Sequence, residues 1–131
     1  MRALVYLWVA PVSLPAAALA LVAGTCGSSL SCRNGVLEVS GGLLVGLLRL
    51  ICPPMPIAAI TLGHVVLART AADLARSRPH EMVHVRQYER WGPFFPPLYL
   101  LASLAALGRG GHPYRDNHFE REAFRLAPIG S

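Results

Sequence analysis

Residues 3–24 (ALVYLWVAPVSLPAAALALVAG) form a run of 22 positions without a single charge, and this run constrains the chain more than any other feature. A helix needs about 20 apolar residues to cross the hydrocarbon core of a bilayer, so the length suits a membrane span. Pro11 and Pro15 fall inside it, and prolines are tolerated in lipid-embedded helices where neighbouring groups satisfy the freed carbonyls. We expect a retained anchor over residues 1–25, followed by one domain over residues 26–131. Ala18-Leu19-Ala20 resembles a small-residue cleavage site, which makes a signal peptide the alternative. With Arg2 before the run and Arg33 beyond it, the positive-inside rule assigns no orientation.

The composition agrees with a membrane setting. Charged residues are 15% of the chain and hydrophobic ones 53%, against roughly 25% charged in ordinary soluble domains. The net charge of +5 comes from arginine alone, since the chain has no lysine. No basic stripe with interleaved aromatics is present, which excludes nucleic acid as an expected partner and leaves membrane lipid. Three cysteines, Cys26, Cys32 and Cys52, have no CxxC spacing, so a cysteine zinc knuckle is not expected. Cys26 and Cys32 flank a short Gly/Ser segment. They would close a disulfide in an oxidising compartment or remain reduced thiols.

The rest of the chain divides at its glycines and prolines. Residues 24–35 are small and read as a loop. Residues 36–40 (VLEVS) read as a short strand, 43–51 as a short helix, and 59–68 as one β-branched, apolar strand. A second membrane span over residues 41–62 is a weaker alternative, opposed by Arg49 and by Pro53, Pro54 and Pro56. Thr70 is a helix cap for residues 70–77. Pro79 is placed to open a new helix, 80–91, which stops at Gly92-Pro93. An apolar helix over 97–107 is too short for a full span. A last helix runs from 117 to 126, capped by Asp116 or Asn117.

The chemistry centres on His80-Glu81-Met82-Val83-His84. Residues four apart on a helix share a face, so both imidazoles can bind one zinc ion. Glu81, beside the first ligand, can act as general base towards the metal-bound water. With five histidines and five glutamates in 131 residues, a chance HExxH is rarer than roughly one in a hundred, though the motif alone has the status of a hypothesis.

Further along stands Glu120-Arg121-Glu122-Ala123. With it, residues 59–126 resemble the gluzincin group of zinc metallopeptidases, and the brevity of the chain is similar to that of minigluzincins. The resemblance implies an α+β, zincin-like domain with a short sheet, an HExxH helix and a later helix bearing the third ligand. It also implies hydrolysis of a peptide or protein substrate. The E-x-x-A pattern points to Glu120 as that ligand, with Ala123 letting the two helices approach. Glu122, about 200° away around the same helix, would then lie outside, near Arg121 and Arg125. One departure is Phe124, where many relatives have Asp or Asn to support the first histidine.

Other residues are weighed around this core. Tyr114 is the first candidate to stabilise a developing oxyanion, and His112 the second. Gln87 shares a stripe with His80 and would touch substrate, brace the Tyr114 loop, or be solvated. His64 is a strand histidine, with substrate contact as its functional alternative. Arg86, Glu89 and Arg90 read as surface ion pairs. Trp91, Phe94, Phe95 and Tyr99 read as core or as a membrane-interface cluster.

The expectation is therefore a membrane-anchored zinc metallopeptidase, with His80, His84 and Glu120 as ligands, Glu81 as base and Tyr114 as a second catalytic residue. The rival is a non-catalytic zinc-binding membrane protein, its site closed by His118 or Cys52. Oligomeric state is left open.

Overall fold

The computed structural model describes residues 2–25, 27–33, 35–42 and 59–127. They form an α+β arrangement: α1 (Arg2–Thr25), β1 (Ser29–Arg33), β2 (Val36–Ser40), β3 (Ala59–Leu62), β4 (Val65–Ala68), α2 (Ala71–Trp91), a single 3-10 turn (Gly92–Phe94), α3 (Phe95–Gly108) and α4 (His118–Leu126). The four strands make one mixed sheet in the order β1-β2-β4-β3. β1 and β2 are antiparallel, β2 and β4 parallel, β4 and β3 antiparallel.

Alternation along β4 builds both sides of the core. Val65 and Leu67 join Val39 against Ala16, Ala20 and Ala23 of α1. Val66 and Ala68 join Val36 and Ala59 against Leu74 and Val85 of α2. Successive strand residues face opposite ways, so a strand covered by helices on both faces must be apolar throughout, as β4 is. The three alanines recur at i, i+4 and i+7, which is one helix face. Their small side chains bring α1 close to the sheet. The opposite face of α1 exposes Leu4, Leu7, Leu14 and Leu21. Among the described residues α1 is the one helix long and apolar enough to cross a membrane.

Three expected boundaries differ from those observed. The segment expected as a loop before residue 36 contains β1. All five of its residues are exposed, so no buried alternation marks it. Its signal lies in the sequence, where Asn-Gly is the commonest mark of a tight hairpin turn; Arg33 pairs with Val36, and Gly35 has a φ of 77°. The single strand expected over 59–68 is a hairpin turning at Gly63-His64, with Leu62 opposite Val65. Gly63 has a φ of 65°, and its backbone lies against Ser13 of α1 with no room for a Cβ. Ser13 Oγ accepts the His64 backbone N–H at 2.9 Å.

The third difference is Pro79, which stands inside α2 and does not begin a helix. An interior proline removes one helical hydrogen bond and costs about 3 kcal/mol. Contacts on the preceding turns hold the helix through it. Thr70 Oγ1 accepts the Asp73 N–H at 3.0 Å, and Asp73 is paired with Arg69 and Arg76. Arg78 forks onto buried Glu38 of β2 at 2.8 and 3.1 Å. Asn117 caps α4 as expected, accepting from the Phe119 N–H at 2.8 Å. The expected helix over 43–51 lies outside the described residues. So does the alternative span over 41–62, apart from its ends at residues 41–42 and in β3. The Cys26–Cys32 pairing is likewise outside them; Cys32 itself is exposed on β1.

Because Ala20 is fully buried against the sheet, Ala20→Leu should overpack this layer and destabilise the protein by about 1–3 kcal/mol. Leu21→Ala, on the exposed face, should shift stability by less than about 0.5 kcal/mol. Thermal unfolding of both variants in detergent checks the difference.

Candidate metal centre

The sheet and α1 hold α2 in place, and α2 presents His80, Glu81 and His84 as buried residues on its inner side. α4 crosses it, and Ala123, fully buried, allows the approach. The result is a triangle of donor atoms. Glu120 Oε1 lies 3.1 Å from His80 Nε2 and 3.0 Å from His84 Nε2, and the two Nε2 atoms are 3.2 Å apart. His80, His84 and Glu120 thus form a buried group that could hold a metal ion.

The protonation of His84 follows from its neighbours. Gln87 Nε2 donates to Phe119 O at 3.1 Å and to Glu122 Oε1 at 2.8 Å, which fixes the amide orientation. Gln87 Oε1 therefore faces His84 Nδ1 at 2.8 Å and can only accept. Nδ1 therefore carries a proton, and Nε2 faces Glu120 and His80, donating to Glu120 while that nitrogen is protonated and offering its lone pair to a cation once it is not. Burial alone would lower the His84 pKa, but the hydrogen bond and charge of Glu120, helped by Glu81, turn the shift upward. Burial would also raise Glu120, yet the bonds from both histidines, His84's charge and Tyr99 hold it down at about 2. The triangle brings one carboxylate oxygen and two imidazole nitrogens together, and positive charge, carried by a proton on an imidazole or by a metal ion, is favoured between them.

Gln87 thus orients a candidate ligand and ties α2 to α4. Glu122 is engaged by Gln87, not by Arg121 or Arg125. The tyrosines close the other side. Tyr99 Oη donates to Glu120 Oε2 at 2.6 Å, and Tyr114 lines the cleft beside Glu120. Burial, then the nearby Glu120 charge, pushes both phenols upward.

Glu81 faces a cleft of about 270 Å³ with His84, Glu120, Tyr99 and Tyr114, between Thr61 of β3 and Phe95 of α3. Thr61 Oγ1 donates to Glu81 Oε2 at 2.6 Å. Burial is the largest influence on Glu81 and raises its pKa, opposed by His84, Thr61 and His80.

Several expected participants stand elsewhere. His112 is exposed, and its Nδ1 accepts the N–H groups of Tyr114 and Arg115, both at 3.1 Å; it shapes the turn that presents Tyr114. His118 is exposed on α4 and outside the donor triangle. Cys52 lies outside the described residues. His64 turns away from the cleft, its Nε2 lying 2.9 Å from Glu89 Oε2 and its ring against Tyr6 of α1 at 4.2 Å. Glu89 is thus taken up by His64, and the expected surface pairing with Arg86 and Arg90 is not formed. Phe124 packs on the His80 ring at 4.5 Å, and His80 Nδ1 has no hydrogen-bond partner among the described residues.

Tyr99 and Thr61 were not singled out as site residues in the sequence. Tyr99 lay within an aromatic cluster that reads equally as core, and Thr61 within a run read as one strand. Their roles depend on α3 and β3 meeting at the cleft. No protein-family model matches this chain, and no curated protein or solved structure matches it.

Removing a partner that only supports a ligand typically weakens metal binding by about 10–100-fold. Tyr99→Phe and Glu122→Ala should fall within that range, and Glu120→Ala should exceed it. Competition with a chromogenic chelator measures all three, and the ordering fails if Glu122→Ala is the most affected.

Proposed function

We propose that this chain is a membrane-anchored zinc metallopeptidase, and the observation behind the reading is the donor triangle opening onto a cleft that also holds Glu81. Metal identity follows from the donor set. Two imidazole nitrogens and one carboxylate oxygen suit zinc, whose bonds to such atoms are about 2.0–2.2 Å in tetrahedral sites. That geometry separates neighbouring ligand atoms by about 3.3 Å, close to the 3.0–3.2 Å edges of the triangle. A structural site is closed by a fourth protein ligand, whereas a catalytic one keeps a position open. The group has three members among the described residues, and the cleft lies beside it. This favours catalysis over the non-catalytic alternative, and the resemblance to gluzincins points the same way.

His80, His84 and Glu120 would hold the ion, and when bound it supplies a Lewis acid that acidifies water and polarises a carbonyl. The chain's own groups provide the rest. Glu81 is a carboxylate buried to 4% exposure on the cleft beside the triangle, placed to accept a proton as a general base. Thr61 holds one of its oxygens in place. Glu81 takes a proton from the attacking water and returns it to the departing amine. Tyr114, lining the same cleft, offers a hydroxyl to the substrate oxygen as negative charge develops there. Ile60, Leu62, Phe95 and Pro96 make the walls apolar, which suits apolar side chains flanking the scissile bond. α1 would hold the domain at the bilayer, its alanine face on the sheet and its leucine face in lipid.

Glu81→Gln keeps the shape and removes the proton acceptor. Purified in detergent without chelator, this variant should retain close to one zinc per chain, as should the parent, while peptide hydrolysis falls by about 10²–10⁴-fold. Elemental analysis alongside cleavage of a peptide library checks both. Loss of zinc in the variant, or unchanged turnover, would contradict the role of Glu81.

A further inference from the structure

From Gly92 to Gly108 the chain has no charged residue. Phe94, Leu100, Leu101, Leu104 and Leu107 are each more than half exposed. The polar groups of α3 point the other way: Tyr99 donates to Glu120, and Ser103 Oγ accepts from Asn117 Nδ2 at 2.8 Å. At 14 residues α3 is about 21 Å long, too short to span a bilayer. Its outer face is continuous with that of α1, because Phe94 meets Trp8 of α1 at 5.9 Å.

A hollow of about 470 Å³ lies at the margin of this face, lined by Leu98, Leu126, Trp91, Arg86 and Arg90 among others. The two arginines are one turn apart on α2, and neither forms an ion pair among the described residues, Glu89 being paired with His64. Two like charges at this spacing repel, so an anion between them is favoured. Trp91 lines the hollow and Phe94, three residues on, is exposed beside it in the chain, and aromatics of this kind concentrate where hydrocarbon gives way to headgroups.

We infer that α3 is a second membrane contact, lying in the interface with its leucines among the acyl chains, while Arg86 and Arg90 receive the phosphate of an anionic phospholipid. An amphipathic hollow beside an apolar helix fits a headgroup with its chains attached better than a free phosphate ion. The cleft, which has Phe95, Pro96 and Tyr99 of α3 along one wall, would then open beside the membrane surface, and substrates would be membrane-bound chains cut close to the bilayer. The inference rests on the reading of α1 as a membrane helix.

The test uses the full chain in vesicles of phosphatidylcholine, with or without phosphatidylglycerol. A photoreactive p-benzoylphenylalanine replaces either Leu104 on α3 or Leu14 on the exposed face of α1, and adducts are identified by mass spectrometry. Phospholipid adducts are expected at both positions. Arg86→Gln/Arg90→Gln should lower those at position 104 by roughly threefold or more when phosphatidylglycerol is present and leave those at 14 unchanged, with zinc content reporting that the fold is intact. Adducts at 14 without adducts at 104 would overturn the inference and leave the anchor standing. Absence at both would overturn both. Adducts joining 104 to a second copy of the chain, or a double variant that labels like the parent, would overturn the lipid assignment. Inorganic phosphate abolishing the phosphatidylglycerol effect at millimolar concentration would reassign the arginines to a free anion.

Discussion

Everything in this molecule is arranged around a buried carboxylate. Glu120 is 4% exposed, and an isolated charge at such depth would neutralise or unfold its surroundings. It stays ionised because each oxygen is engaged, Oε1 by the two imidazoles and Oε2 by Tyr99. Those partners come from α2 and α3, and the carboxylate from α4, so one charge fastens three helices. The fastening is polar, its histidine contacts are buried and its Tyr99 contact partly so, and loss of one partner in such a contact is strongly destabilising. It is also selective: a helix shifted by one residue would bring Phe119 or Arg121 to the triangle instead.

The sheet is the foundation for that joint. β4 is buried on both faces, so α2 cannot slide without exposing Val66 and Ala68 or losing the Arg78–Glu38 fork. α1 completes the far face with its alanines, and through Ser13 it satisfies the His64 N–H at the β3–β4 turn. His64 in turn pairs with Glu89 on α2. The apolar N-terminal helix is therefore connected to the helix bearing His80 and His84 by a chain of direct contacts, and its docking and the position of the site are mechanically related.

The legible parts of the sequence were those set by local periodicity. Four-residue spacing placed His80 and His84 on one face; the roughly 200° between Glu120 and Glu122 allowed only one of them to join it, and Ala123, three residues after Glu120, marked which. The caps at Thr70 and Asn117 were readable because a side-chain oxygen before an apolar period has few other uses. Where tertiary contacts overrode local preference, the sequence misled. Pro79 looks like a helix start, but Arg78 is clamped to Glu38 and Asp73 to two arginines, and the helix runs through. Glu89 looks like a surface partner for Arg86 and Arg90 until the β3–β4 turn brings His64 to it. Tyr99 and Thr61 were invisible as site residues since each acts across a contact between elements far apart in the chain. β1 was missed for a different reason: an edge strand exposed at every position has no alternation, and only Asn34-Gly35 announced it.

The two histidines are not equivalent, and the difference originates in Phe124. His84 is steered by a side-chain hydrogen bond: Gln87 fixes its tautomer and is itself fixed by Phe119 O and Glu122. His80 has no such partner among the described residues; its ring is oriented by packing between Phe124 and the edge of His84, and Ser77, one turn earlier, also buries an oxygen without one. A polar group supporting a ligand raises its basicity as well as aiming it, whereas an aromatic neighbour can only aim it. The chain thus places its electronic support on one side of the triangle and its steric support on the other. Full burial of His80, at 1% exposure, makes the steric half sufficient for orientation, because a ring enclosed by Phe124 and His84 has few rotamers left. The side bearing His84 is also the one adjoining the cleft and Glu81, so the better-supported ligand is the one nearest the groups that would handle the proton.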